Sequence, residues 1–155
     1  MKVLKLIASF VISYSAALIG GLATTANIPT WYAALDKPPL NPPNWIFGPV
    51  WSLLYTLIAI SLYLAWTAET KKPKTKAYVV FAAQMVLNAL WSLVFFGLHQ
   101  TWLAVAVILL LIVSIIVTIV QFKQYSKPAA WLLAPYLVWV CFATYLTIGI
   151  AVVQL

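Results

Sequence analysis

Polar side chains recur at helical spacing in one strongly apolar stretch of the sequence. Gln84, Asn88 and Ser92 lie four residues apart within residues 77–98, so a helix would place them on one face. An amide in an apolar environment needs a hydrogen-bonding partner, which is either a neighbouring helix or a bound ligand. The spacing leaves both interpretations open.

Aromatic side chains form two further patterns that could line a binding site. Phe47, Trp51 and Tyr55 repeat every four residues and would share one helical face. Trp139 is followed four residues later by Ala143, which leaves space beside the indole ring. Such an arrangement can form a slot for a flat ligand, and it can equally knit two helices together.

The residues used in conventional catalysis are sparse. His99, Cys141, Asp36 and Glu69 are scattered single residues, and the sequence contains no Ser/His/Asp set, paired carboxylates or Gly-rich phosphate loop. No second His, Cys or carboxylate lies at ligand spacing from His99. We therefore predict no metal site and no cofactor.

The composition of the chain indicates which kind of secondary structure positions these side chains. Hydrophobic residues make up 65% of the chain and charged residues only 7%, which is far from soluble usage. The apolar stretches are too uniform for the strands of a barrel, and each is close to the roughly 20 residues that cross hydrocarbon as a helix. We predict an all-α integral membrane protein, with residues 1–155 forming a single domain of five transmembrane helices: residues 3–24, 45–66, 77–98, 102–122 and 129–153.

A proline- and aromatic-rich run joins the first two stretches. It reads WYAALDKPPLNPPNWIFGPVWSLLY over residues 31–55. Its prolines fix φ and favour extended backbone, while Trp, Tyr and Phe supply large rigid surfaces. We expect loop 1, residues 25–44, to form a lid or rim, with one helical turn over residues 30–35 capped by Thr30.

The distribution of lysines predicts the orientation of the chain. The net charge is +7, and with five spans only Lys37 lies on the side of loop 1 and the carboxyl terminus. The other lysines share the side of the amino terminus: Lys2, Lys5, Lys71, Lys72, Lys74, Lys76, Lys123 and Lys127. The positive-inside rule then places the amino terminus in the cytoplasm and both loop 1 and the carboxyl terminus outside.

A stripe of small residues marks one face of the first stretch. Ser9, Ser13, Ala17 and Gly21 lie four residues apart and would allow another helix to approach closely. Packing within the chain is the favoured interpretation, and a dimer interface is the alternative.

Three blocks of the sequence carry a resemblance to a known family. They are WYAALDKPPLNPPNWIFGPVWSLLY, QMVLNALWSLVFFGLH and PYLVWVCFATYL, which occur in this order between residues 31 and 146. In these blocks the chain resembles the tryptophan-rich sensory protein and translocator protein family, also called peripheral benzodiazepine receptors, in its bacterial type.

The resemblance implies a fold and a ligand site. It implies a five-helix bundle in the bacterial inner membrane, usually a homodimer, with a lipophilic pocket near loop 1 that accepts porphyrins and synthetic isoquinoline carboxamide or benzodiazepine ligands. Residues that match the family's pocket positions are expected to bind ligand: Tyr32, Pro42, Phe47, Trp51, Tyr55, Asn88, Trp91, Ser92, Phe95, Trp139 and Ala143.

The resemblance also implies a function. It describes a membrane receptor for tetrapyrroles such as protoporphyrin, and some members are associated with light-dependent oxidative breakdown of the porphyrin, for which Trp51 and Trp139 are the candidate photochemical residues. Passive transport or handover of tetrapyrroles or other lipophilic molecules is the alternative. The chain ends in Ala151-Val-Val-Gln-Leu155 without the Tyr and basic residue of a sterol-contact motif, so cholesterol transport is disfavoured.

Overall fold

The computed structural model describes residues 1–155 and confirms the all-α fold with five membrane-length spans. No strand is present. The first four spans are built on α1 to α4, and a break divides the fifth span into α5 and α6. The helices are α1 (Lys2–Asn27), α2 (Phe47–Thr67), α3 (Thr75–Ser92), α4 (Thr101–Lys123), α5 (Lys127–Leu132) and α6 (Ala134–Val153).

The first span is longer than the sequence predicted. A π-helical turn, Ile28–Tyr32, continues α1 without a break, so the predicted start of loop 1 at residue 25 is wrong. Polar side chains in this segment bond to their own helix, because the hydroxyls of Thr24 and Thr30 donate to the carbonyls of Gly20 and Ala26 at 2.9 and 3.3 Å. Such bonding four residues back satisfies a hydroxyl inside a helix. The predicted cap at Thr30 is therefore wrong as well.

The fifth span is interrupted, whereas the sequence predicted one unbroken helix over residues 129–153. The break falls at Leu133, between Lys127–Leu132 and Ala134–Val153. Pro135 explains it, because proline has no N–H to donate to the carbonyl of Trp131 and its ring clashes with that carbonyl. The break lies toward the end of the bundle opposite loop 1.

The end of the bundle opposite loop 1 is closely packed. Phe81 and Phe122 stack with centroids 5.7 Å apart, and Ile115 and Phe122 of α4 are fully buried. This packing makes α4 a support for α3 and α6 rather than only a lipid-facing helix.

Lys74 closes the end of α2 at this same side. Its ammonium donates to the carbonyls of Ala65, Trp66 and Ala68 at 2.8, 3.1 and 2.7 Å. A lysine placed there satisfies carbonyls that the helix leaves without partners. Burial, and secondarily the positive charge of Lys5, lower the pKa of Lys74.

Candidate functional site

A cavity of about 210 Å³ lies near the loop 1 end of the bundle, enclosed by α1, α2, α3 and α6. Most of its lining side chains are apolar, and none carries a charge. The lining residues are Tyr14, Ala17, Gly21, Thr24, Thr25, Ile28, Phe47, Gly48, Trp51, Ser52, Tyr55, Trp91, Ser92, Phe96, Trp139, Ala143 and Leu146.

Trp51 is the central side chain of the aromatic wall. Its ring centroid lies 5.6 Å from that of Tyr55 and 6.1 Å from that of Trp91. On the opposite side Phe47 meets Trp139 edge to face, with centroids 6.2 Å apart. These spacings are typical of stabilising aromatic pairs. The two aromatic patterns therefore pack between helices and also line a cavity.

The predicted binding residues divide into three groups by their place in the structure. Those that line the cavity are Phe47, Trp51, Tyr55, Trp91, Ser92, Trp139 and Ala143. Tyr32 and Phe95 instead line a neighbouring cavity of about 20 Å³, shared with Phe47 and Trp91. Asn88 and Pro42 line neither cavity.

Asn88 lies in a buried hydrogen-bond network beneath the cavity. The Tyr55 hydroxyl donates to its Oδ1 at 2.5 Å, and its Nδ2 donates to the Tyr136 hydroxyl at 2.9 Å. Tyr136 in turn donates to Gln84 Oε1 at 2.9 Å. Two members of the predicted polar face, Gln84 and Asn88, thus bond to other helices, while Ser92 lines the cavity.

Two buried donors have no hydrogen-bond partner, and both are on α3. They are the indole N–H of Trp91 and the Nε2 of Gln84. Burying a donor without a partner costs about 1–3 kcal/mol. Trp91 lines the cavity wall and Gln84 ends the network, so both costs fall at or directly below the site.

Loop 1 lies against the fifth span. The Tyr145 hydroxyl donates to the Pro39 carbonyl at 2.7 Å, and the Tyr32 hydroxyl donates to Asn41 Oδ1 at 2.6 Å. The Pro38 ring lies so close to Gly149 that a Cβ there would come within 2.6 Å of it. These contacts hold the loop in place next to the cavity.

Lys37 is held by the helix end rather than directed toward a ligand. Its ammonium donates to the carbonyls of Tyr32, Ala33 and Leu35 at 3.0, 3.3 and 2.8 Å. It also lies 5.2 Å from the centre of the Tyr32 ring. The one lysine on this side of the chain therefore closes the carboxyl end of the first span, as Lys74 closes α2.

His99 packs against the end of the first span. Its ring stacks on Trp31 with centroids 4.2 Å apart, and its Nε2 lies 3.1 Å from Asn27 Oδ1. Because Asn27 Nδ2 already donates to the Ala23 carbonyl, its Oδ1 is the acceptor and His99 Nε2 carries the proton. The structure brings together no group of three or more His, Cys, Asp or Glu residues that could hold a metal ion.

Sequence reasoning missed the contribution of α1 to the cavity. The small-residue stripe was the available signal, but its members have different roles. The Ser13 hydroxyl donates to the Tyr55 carbonyl at 2.6 Å, and Ser9 is fully buried, whereas Ala17 and Gly21 line the cavity. The four-residue spacing alone does not distinguish residues that contact another helix from residues that line a cavity.

Comparisons with known proteins all point to one family. The sequence profile of the TspO/MBR family matches residues 8–153. A tryptophan-rich protein TspO of Archaeoglobus fulgidus is 42% identical over 151 residues, covering 97% of each chain. A translocator protein of Homo sapiens is 40% identical over 117 residues, which is 74% of this chain and 69% of the relative. A tryptophan-rich sensory protein of Cereibacter sphaeroides is 35% identical over 131 residues, which is 83% of this chain and 81% of the relative.

The family resemblance seen in the three sequence blocks is thereby confirmed. It agrees with the five apolar spans of the fold. This chain is an integral membrane protein that belongs to the TspO/MBR family.

Proposed function

We propose that the protein is a membrane receptor that binds flat, lipophilic ligands of the tetrapyrrole class in the cavity between α1, α2, α3 and α6. The observation that carries the proposal is an uncharged cavity walled by Trp51, Trp91 and Trp139. Large aromatic faces bury the surface of a planar apolar ligand well.

Cavity size and charge constrain how such a ligand would lie. The volume of about 210 Å³ is smaller than the roughly 300–1,000 Å³ of pockets that enclose a drug-sized ligand. A macrocycle would therefore extend beyond the cavity as it stands, whereas a smaller isoquinoline carboxamide needs less room. Porphyrin propionates would have to remain outside, because no charged side chain lines the cavity and Lys37 is bonded to carbonyls.

The orientation of the site in the membrane is part of the same proposal. The lysine distribution supports an amino terminus in the cytoplasm of a bacterial cell, with loop 1 on the outer side of the inner membrane. The cavity would then lie in the outer half of the bilayer.

Light-driven oxidation of a bound porphyrin is a second candidate function. The observation that favours it is that Trp51 and Trp139 both line the cavity. An excited porphyrin would take an electron from an adjacent indole and pass it to dissolved dioxygen, which is the oxidant, and the indole radical would then take an electron from the porphyrin, so that overall the porphyrin is oxidised and dioxygen is reduced. Illumination of the porphyrin complex tests it. Bleaching of the porphyrin should slow in Trp51→Phe and Trp139→Phe, and bleaching at the parent rate in both variants would count against it.

Binding in the dark tests the receptor function itself. We expect protoporphyrin to quench the tryptophan fluorescence of the purified protein in detergent with saturation at one ligand per cavity. Trp51→Phe and Trp139→Phe should weaken binding, while Trp102→Phe and Trp131→Phe should not, because the last two residues are 51% and 74% exposed outside the cavity. Quenching that rises without saturation, or that depends only on Trp102 and Trp131, contradicts the proposal.

A further inference from the structure

The cavity reaches the surface of the bundle between α1 and α2. Among its lining residues, Tyr14, Thr25, Gly48 and Ser52 are exposed, and all four belong to these two helices. The lining residues on α3 and α6 other than Trp139 are buried. The opening therefore faces sideways, along the contact between α1 and α2.

This α1–α2 seam is bonded only in its lower part, away from loop 1. Ser13 donates to the Tyr55 carbonyl at 2.6 Å. The Tyr14 hydroxyl donates to the Ser52 carbonyl at 3.0 Å and lies 2.7 Å from the Thr56 hydroxyl. Beyond Tyr14 toward loop 1, no hydrogen bond joins the two helices.

Small residues leave a slot where these bonds end. It lies between residues 17–25 of α1 and residues 48–52 of α2. A Cβ built on Gly21 or on Gly48 would have no neighbouring heavy atom within 4 Å. The glycines thus leave open space at the mouth of the cavity rather than a close helix contact.

The surface around the slot is apolar. Leu18 and Leu22 of α1 are 65% and 66% exposed, and Leu53 of α2 is 59% exposed. Both helices are long enough to cross a membrane, so exposed leucines at this depth face acyl chains. In a bilayer the slot would therefore open toward hydrocarbon rather than water.

In contrast to the slot, the route past loop 1 is closed. The loop is bonded to Tyr145 and Tyr32 and packed on Gly149, and none of residues 35–43 lines the cavity. A ligand arriving from water would have to break these contacts, whereas a ligand dissolved in the bilayer meets an unbonded slot.

We propose that the α1–α2 slot is the portal of the ligand site, and that it admits flat molecules that have already partitioned into the bilayer. Gly21 and Gly48 set its width and so select against thick or branched ligands. This inference rests on the proposed receptor function. It adds the source of the ligand, the lipid phase, and the residues that control access.

Ligand exchange kinetics test the portal. Protoporphyrin is supplied in phosphatidylcholine vesicles to the reconstituted protein, and binding and release are followed by tryptophan quenching in the dark. In Gly21→Leu and Gly48→Leu we expect association and release both to slow at least tenfold. A substitution that only removed contacts between the protein and the ligand would speed ligand release. Slower ligand release therefore indicates a narrowed portal.

Two sets of variants control the experiment. Leu53→Phe adds bulk to the lipid-facing surface of α2 outside the slot and should keep both rates within about twofold of the parent. Tyr145→Phe removes the bond from α6 to the Pro39 carbonyl and should also keep both rates, since loop 1 is not the route. Thermal unfolding in detergent confirms that each variant is folded.

The outcomes separate the portal from the receptor function. Normal saturation with parent-like rates in Gly21→Leu and Gly48→Leu overturns the portal alone, as does faster exchange in Tyr145→Phe with no effect of the glycine variants. A parent protein that shows no saturable quenching contradicts the receptor function, and the portal falls with it.

Discussion

At the loop 1 end of the bundle, Trp51, Trp91 and Trp139 surround a cavity of about 210 Å³. At the opposite end Phe81 and Phe122 stack closely. Both ends combine aromatic with small or aliphatic residues, so composition does not separate them. The difference lies in how neighbouring helices meet: beyond Tyr14 no hydrogen bond joins α1 to α2, and Gly21 and Gly48 leave open space between them.

Tyr55 lies at the boundary between the two regions. Its ring lines the cavity, while its hydroxyl donates to Asn88 in the polar network below. Such a network stabilises the bundle only while each member keeps its partners. We therefore predict that substitutions in the polar network lower the stability of the bundle, whereas substitutions in the cavity wall alter ligand binding.

Asn88→Leu should have the largest effect. The substitution leaves the buried hydroxyl of Tyr55 without its acceptor and removes the donor to the Tyr136 hydroxyl, which keeps its bond to Gln84. The free energy of unfolding should therefore fall by about 2 kcal/mol. Reversible denaturation in mixed micelles measures it. Ser92→Ala, one turn further along α3 at the cavity wall, is the matched control and should cost less than about 0.5 kcal/mol. Equal losses of the free energy of unfolding in both variants would contradict a separate stabilising role for the network.

Ala143→Leu should act in the opposite way. The longer side chain would occupy the cavity beside Trp139, so ligand affinity should fall at least tenfold, which corresponds to about 1.4 kcal/mol. The free energy of unfolding should change little, since the side chain fills existing space. Val138→Leu, at a position of α6 that is 69% exposed, is the control. Parent-like affinity in Ala143→Leu contradicts a ligand in this cavity.

Lys37 and Lys74 offer a direct comparison of the two ends. Each ammonium donates to three carbonyls at the end of a span. Lys37→Met and Lys74→Met should each lower the free energy of unfolding by about 1 kcal/mol, with ligand affinity unchanged within about twofold. Unfolding and dark quenching titrations measure both quantities. A large loss of affinity in Lys37→Met alone would instead make Lys37 a ligand contact.

Tyr14→Phe should have only a small effect on stability. It removes the bond to the Ser52 carbonyl at the partly exposed lower end of the slot, and the expected cost is about 0.5 kcal/mol. Ligand exchange should become faster, because the slot can then extend downward. Tyr63→Phe on α2, seven residues beyond Thr56 toward the end opposite loop 1, is the control for loss of a hydroxyl. Slower ligand exchange in Tyr14→Phe would contradict the proposal that the ligand passes between α1 and α2.

The number of spans could be predicted from sequence because each apolar stretch has the length that hydrocarbon demands. The continuation of α1 through Ile28–Tyr32 could not. Thr24, Asn27 and Thr30 resemble loop residues by composition, and only the structure shows them bonding to their own helix. Pro29 lies at the start of the π-helical turn.

The candidate site was predictable in part. The repeats around Trp51 and Trp139 identified two walls of the cavity. The contribution of α1 could not be read from period, because Ser13 and Gly21 share a stripe but only Gly21 lines the cavity. Asn88 could be placed on an inward face, yet the choice between ligand and helix partner depended on Tyr55 and Tyr136, which are distant in sequence.

The most direct test of the ligand site is ¹⁹F NMR of protein labelled with 5-fluorotryptophan, with each resonance assigned by single Trp→Phe variants. Addition of protoporphyrin in the dark should shift the resonances of Trp51, Trp91 and Trp139 most. Those of Trp66, Trp102 and Trp131, which do not line the cavity, should stay in place. Shifts that are largest at Trp102 or Trp131, with Trp51 and Trp139 unchanged, would contradict ligand binding in this cavity.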